Sequence, residues 1–146
     1  MIRRYGTSPK SGQHYKLRPG VYAILPRGGQ LLLTYQDAPH FEYQLPGGGI
    51  DPGESPIQAL HREVFEETGW RIAAPRRIGA FRRFVFMPEY GMNAEKICHI
   101  YIALPVRPHG PPREAGHHAV WLSPERAIAE VANDGDAAFL AGLINP

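Results

Sequence analysis

The chain is predicted to fold as an α/β sandwich around a mixed β-sheet, and three observations predict it. β-Prone runs stand both before and after one strongly signalled helix, and a further helix signal follows the last of them. Hydrophobic residues make up 43% of 146 positions and charged residues 21%, which suits one soluble domain and argues against disorder. A domain near this size hides about 68–70% of its unfolded-chain surface, enough for an ordinary core.

Residues 1–18 are polar, basic and dotted with Gly, Ser and Pro, and read as a flexible basic arm or a loosely docked extension; the domain proper is expected over 19–146. VYAIL (21–25) and QLLLTYQ (30–36) are β-prone runs around PRGG (26–29), a hairpin turn. YQLP (43–46) is extended and leads into three glycines, 47–49. Helix signals then arrive together. Ser55 can cap, Pro56 suits the first helical position, Gln58 completes a capping box, and Gly69 closes the last turn. RRIGAFRRFVF (76–86) and EKICHIYIALPV (95–106) read as strands, the second apolar enough to be central. RPHGPPREAG (107–116) is a loop, AVWL (119–122) a strand, and SPERAIAEVA (123–132) opens a second helix.

A net charge of +2, with Arg and Lys spread along the chain, makes neither nucleic acid nor membrane the leading partner. The first twenty residues hold no apolar core run, so no secretory leader is read there, and no stretch reaches the length of a membrane span. One cysteine, Cys98, forms no internal disulfide and fits a reducing compartment; the expected location is cytoplasmic.

The 55–68 helix concentrates negative charge. At about 100° per residue, Glu63, Glu66 and Glu67 share an arc of about 100°, with Ala59 inside it. Ile57, Leu60, Val64 and Thr68 form the neighbouring arc that can face a sheet, and Glu54 approaches from the preceding turn. Like charges three and four apart each cost about 0.2–0.5 kcal/mol, and anions in the last turn oppose the helix dipole by about 0.3–1 kcal/mol. Arg62 relieves only part of this. Such local conflict points to a missing partner, most simply a divalent cation. The donors are all oxygens, which suits Mg²⁺ or Mn²⁺ rather than zinc. The glycine turn brings bare backbone to the same place, able to offer a carbonyl or room for a phosphate.

Gly48, five residues, Glu54, seven residues, then Arg62-Glu63-Val64-Phe65-Glu66-Glu67-Thr68-Gly69-Trp70 resembles a complete Nudix box over residues 48–70. Trp70 fills the last apolar slot, more often aliphatic. The strand order extends the likeness to about residue 132. The resemblance implies an α/β/α sandwich and a metal-dependent hydrolase of nucleoside diphosphate derivatives. It implies metal ligation by Glu63, Glu66 and Glu67 with a carbonyl of Gly47 or Gly48, orientation of the carboxylates by Arg62, and support of the loop by Glu54. The general base is Glu63 or a loop acid, with Glu114 the best match and Glu89 and Glu95 the alternatives. A MutT-like nucleoside triphosphate pyrophosphohydrolase is put first, and an ADP-sugar or dinucleoside polyphosphate hydrolase is its competitor. The family's isomerase branch uses a cysteine ahead of the box, whereas Cys98 lies after it. A non-catalytic ligand sensor tends to lose box carboxylates, and none is missing here. The expected partner is a small nucleotide-type substrate, with no stable nucleic-acid partner and no membrane; family habit adds a homodimer, in which the basic arm could take part.

Outside the box, His117 and His118 are adjacent and would point to opposite faces of a strand, and no histidine has zinc-ligand spacing. Their ordinary reading is structural. Cys98 is read as packing. Arg82 and Arg83 alternate faces, so one at most meets a cleft; Arg82 is taken as the phosphate-gripping candidate and Tyr35 as a base-stacking one, with Gly48 beside them.

Overall fold

A computed structural model of the chain describes residues 2–144. In chain order the elements are β1 (Arg3–Arg4), β2 (Lys16–Ile24), β3 (Pro26–Arg27), β4 (Gln30–Gln36), β5 (Glu42–Gln44), β6 (Gly47–Gly49), α1 (Pro56–Thr68), β7 (Trp70–Met87), β8 (Met92–Pro108), β9 (His117–Leu122), α2 (Pro124–Glu130) and α3 (Asp134–Ile144). One sheet runs β1-β7-β8-β2-β6; β4 heads the other, with β3, β5 and β9 as antiparallel neighbours. The larger sheet is mixed: β8 is parallel to β2 and antiparallel to β7, and β6 is antiparallel to β2. The apolar β8 is central, as its composition predicts.

Two cores separate the layers. Ala59, Leu60 and Val64 of α1 pack on Val21, Ala23, Leu32 and Tyr101. Leu140 of α3 and Ala127 of α2 pack on Ile24, Leu33, Phe81 and Ile100. Helices thus cover both sides of the strands, the expected α/β/α arrangement.

Capping fixes the start of α1. The Ser55 side chain accepts from the Gln58 N–H at 3.1 Å, and the Gln58 side chain accepts from the Ser55 N–H at 2.9 Å. Gly69 ends the helix at φ 77°, in the left-handed region that glycine enters without Cβ strain. The helical wheel needs one correction. Ile57, expected on the buried arc, is exposed, while Ala59, placed among the carboxylates, is fully buried. The reason is that the carboxylate arc itself turns inward against β6, rotating the first turn's Ile57 out to solvent.

Of the expected basic arm, residues 3–5 and Tyr15 lie against β7. β1 adds parallel to β7, Tyr5 meets Phe81 edge-on at 5.7 Å between ring centroids, and Tyr15 meets Phe84 at 4.9 Å. β2 already begins at Lys16, ahead of the expected domain start. Residues 1, 145 and 146, which the expected arm and domain include, lie outside the described residues. α3 shows little amphipathic stripe in its sequence, DGDAAFLAGLI, and periodicity did not separate it from α2. No helix among the described residues is long and apolar enough to cross a membrane.

Candidate active site

The glycines of β6 let α1 approach until its carboxylates touch backbone. A Cβ on Gly47 would strike the Val21 carbonyl and backbone of Tyr22; one on Gly48 would lie 2.6–2.7 Å from the Glu63 carboxylate. Glu67 is buried and accepts a 2.9 Å hydrogen bond from the Gly47 N–H. The Gly47 contact seen here is therefore through its N–H. Burial raises the Glu67 carboxyl well above its ordinary value. Burial likewise lifts Glu63 to about 7, against the opposing pull of Arg62.

Arg62 spreads its guanidinium across the cluster. It donates to Glu54 at 2.7 and 2.9 Å, to Glu63 at 2.9 Å, to Glu66 at 3.4 Å and to the Gly49 carbonyl at 3.1 Å. Only a planar fork reaches so many acceptors at once. The hydrogen bond from Arg62, with the Asp51 N–H, holds Glu54 down to about 2.

The loop before β9 folds back because α1 ends with unpaired carbonyls. The Glu66 carbonyl accepts from both the Arg113 and Glu114 N–H groups at 2.9 Å. That places the Glu114 carboxylate within 4.8 Å of Glu63 and Glu66, and within the same distance of Glu67 and His117. Of the two alternative acids, Glu95 lies in β8, 3.2 Å from Arg82, and Glu89 lines the cavity described next.

A cavity of about 670 Å³ opens from this cluster across the larger sheet. Gly48, Glu63, Glu67, Glu114 and His117 line one end, and Arg83, Lys96 and Asp136 line the other. Tyr22 lies between, with the Lys96 ammonium 6.0 Å from its ring. Burial lowers the Lys96 pKa, with Arg83 adding to the effect. Burial raises the Asp136 carboxyl to about 6, against the field of Arg83 and hydrogen bonds from Asn133 and Leu45.

Two expectations are corrected. Arg82 does not line this cavity; it pairs with Glu95, and Arg83 faces the cavity instead. Phe81 points into the core, so alternation along β7 turns Arg83 to that side and Arg82 away. Tyr35 is also on the wrong face. Thr34 and Gln36 point toward α1 and the cavity, whereas Tyr35 packs edge-on with Tyr43 at 4.9 Å in a separate hollow.

His117 is the residue that sequence reasoning passed over. It and His118 do point to opposite faces: His118 is exposed beside Asp37 at 2.9 Å, whereas His117 is buried. Burial lowers its pKa. Its Nδ1 lies 2.8 Å from the Thr34 hydroxyl, and its Nε2 lies 3.7 Å from Glu67 and 3.9 Å from Glu114. Lys96 carried a readable signal: it shares strand parity with the inward-facing Cys98 and Ile100. Cys98 is buried in the core, as read, and burial pushes its thiol up to about 12.

A model of the NUDIX domain family matches residues 15–143. Among curated relatives, the Bacillus subtilis protein named "Putative 8-oxo-dGTP diphosphatase" is 40% identical over 72 residues, 48% of this chain and 47% of its own. An RNA pyrophosphohydrolase of Pectobacterium atrosepticum is 42% identical over 69 residues, 47% of this chain and 38% of its own. The matched segments thus span less than half of either relative. The solved NUDIX hydrolase from Nitrosomonas europaea superposes with a TM-score of 0.64 at 26% identity, covering 79% of this chain and 78% of that one.

Proposed function

The chain belongs to the NUDIX family, and on that premise we propose that it hydrolyses a phosphoanhydride linkage in a nucleotide or nucleoside diphosphate derivative with the aid of a divalent cation. A nucleoside triphosphate is the first substrate reading. The carrying observation is the convergence of Glu63, Glu66, Glu67 and Glu114 at one end of a cavity floored by side-chain-free glycine backbone. Four carboxylates with one shared arginine are under-neutralised, and two of them have pKa values raised chiefly by burial. An all-oxygen set of this kind fits Mg²⁺ or Mn²⁺. Glu63, Glu66 and Glu67 would hold the ion, with a carbonyl of Gly47 or Gly48. Such an ion supplies Lewis-acid stabilisation of the diphosphate oxygens.

The chain's own groups divide the remaining work. Arg62 fixes the directions of the Glu63 and Glu66 carboxylates through its fork. Glu114 is the favoured general base: among the described residues no arginine bonds its carboxylate, whereas Glu63 is tied to Arg62. A Glu114 oxygen would take the proton from the attacking water. Arg83 and Lys96, at the opposite end, would hold the anionic or carbonyl-rich remainder of the substrate. The free, buried Cys98 is consistent with a reducing, cytoplasmic setting.

The test is formation of hydrolysis products, separated by anion-exchange chromatography as nucleotides, sugar phosphate, phosphate and pyrophosphate, from a panel with Mg²⁺ or Mn²⁺. The panel holds nucleoside triphosphates, an ADP-sugar, a dinucleoside polyphosphate and a 5′-triphosphorylated RNA, the last because relatives are named RNA pyrophosphohydrolases. Turnover of one or more members is expected. Binding without turnover of any would replace the hydrolase reading with that of a ligand sensor.

A further inference from the structure

The acidic cluster opens on two sides. Glu114 lines both the cavity already described and a second, open hollow of about 730 Å³; Glu63 and Glu67 line only the cavity, and Glu66 only the hollow. Glu63, Glu66 and Glu114 bring carboxylate oxygens within 4.8 Å of one another, so they stand between the two spaces. A phosphoanhydride held at this cluster has a phosphorus on each side of its bridging oxygen. One half of such a molecule has the cavity. The hollow is room for the other.

The rest of the hollow is lined by Arg62, Arg71, Arg113 and Phe65. Arg62 is committed to Glu54, Glu63 and Glu66. Arg71 and Arg113 are not committed: among the described residues neither forms an ion pair. Both guanidiniums lie on the buried Phe65 ring instead, their central carbons 3.8 and 4.9 Å from its centroid. Stacking uses the face of a guanidinium and leaves its N–H groups, which lie in its plane, for acceptors. The backbone holds both residues close to the carboxylates: Arg71 is the second residue of β7, just past the end of α1, and the Arg113 N–H donates to the Glu66 carbonyl at 2.9 Å. Covering Phe65 needs only an apolar chain. It does not account for Arg107, which stands directly across the strand pair from Arg71, where like charges are unfavourable. Cations gathered in this way, beside a cluster that would hold a phosphoanhydride, fit a phosphate group.

We infer that Arg71 and Arg113, stacked on Phe65, form a phosphate-binding subsite across the acidic cluster from Arg83 and Lys96, and that it takes a phosphate lying beyond the anhydride that is cleaved. The inference deepens the proposed function and rests on it for the identity of the substrate, but not for the binding of a phosphate anion. A nucleoside triphosphate places charge in both spaces, whereas an ADP-sugar places a neutral sugar in one of them.

The test titrates the full chain with inorganic pyrophosphate, in Mg²⁺ and again in chelator, and follows the arginine Nε–H resonances by ¹⁵N nuclear magnetic resonance. The Arg71 and Arg113 signals should shift together and saturate. In the Arg71→Met/Arg113→Met double variant the dissociation constant should rise about tenfold or more. Methionine still covers Phe65, so the melting temperature should stay near wild type. Should the double variant unfold, the two single variants give the same reading, each with part of the loss. Arg126→Met, which removes an exposed arginine on α2, should change the dissociation constant less than about twofold. Steady-state kinetics identify the source of the phosphate. A KM raised about tenfold for a nucleoside triphosphate but unchanged for an ADP-sugar assigns the subsite to substrate. Unchanged KM for both, with pyrophosphate binding lost, assigns it to the free anion. Absence of a shift at both arginines in both conditions, or pyrophosphate affinity that survives the double variant, overturns the inference. Hydrolysis of the panel is read separately, so either result leaves the proposed function to its own test.

Discussion

The carboxylate of Glu63 occupies the space that a side chain on Gly48 would need. A Cβ there would lie 2.6–2.7 Å from the Glu63 carboxyl carbon and both its oxygens, closer than real contacts allow. Gly48→Ala therefore sets a methyl group against the free end of a flexible side chain. Glu63 can swing away at small cost in stability, about 1 kcal/mol or less. In doing so it leaves the Arg62 fork, 2.9 Å away, and its place beside Glu66 and Glu114. Unfolding curves close to wild type, with divalent affinity lowered about 10- to 100-fold, are the expected pair of results. Unchanged affinity would separate Gly48 from the metal site.

Glu67→Gln tests the most buried of the carboxylates. The amide oxygen of glutamine can still accept from the Gly47 N–H, so the α1–β6 contact survives. What is lost is the charge, whose burial is already unfavourable in the metal-free protein. Thermal stability without metal should be kept or raised, while turnover on the best panel substrate falls by a factor of about a hundred or more. Near-wild-type rates would remove Glu67 from the reaction.

How much of this was legible depends on how local each relation is. The α1 caps and the spacing of Glu63, Glu66 and Glu67 are set within one helix, and all could be read from order alone. The inward turn of that acidic arc could not, because it depends on how closely β6 lets the helix approach. Arg82 and Arg83 are neighbours, and choosing between them requires knowing that Phe81 is a core residue. The bulges in β7 between Ala73 and Gly79 break the alternation that would have carried parity from the strand's start. His117 was harder still. Its place beside Glu67 and Glu114 appears only when β9 pairs with β4 and brings Thr34 to its ring, a contact between residues far apart in the chain. Seven histidines with no metal-like spacing gave no hint of it.

The correction on β7 makes its own prediction. Arg83→Met removes a cation that lines the cavity, and Arg82→Met removes one that already pairs with Glu95 on the other face. The first should raise KM about tenfold for the preferred substrate, the loss of one charge-assisted contact, with kcat much less affected. The second should change KM by less than about twofold. Steady-state kinetics on both variants decide it, and equal effects would mean that neither arginine meets substrate.

The raised carboxyls dominate the response of the metal-free protein to pH, outweighing His117 and His99, whose pKa values burial lowers and which therefore act in the opposite direction. Glu63 titrates at about 7 when folded against an ordinary 4.5, and Asp136 at about 6 against 3.8, both chiefly because burial disfavours the charged form. Each therefore holds its proton more tightly folded than unfolded. Their stabilising contribution is complete below the unfolded values and is lost as pH rises through about 6 and then about 7. Glu67 shifts in the same direction. A melting temperature measured with chelator should consequently fall between pH 5 and pH 8. Protons and divalent ions compete for the same Glu63 oxygens, so affinity for Mg²⁺ should weaken as pH drops below about 7, by up to about tenfold per unit for one displaced proton. Mg²⁺ should then recover much of the lost melting temperature at pH 8 and little at pH 5. Glu63→Gln should flatten the upper part of the chelated profile and leave the part due to Asp136, which lies at the far end of the cavity. A chelated profile that instead rises with pH across this range would mean that these carboxyls ionise readily in the folded protein, and that the acidic helix needs no cation to be stable.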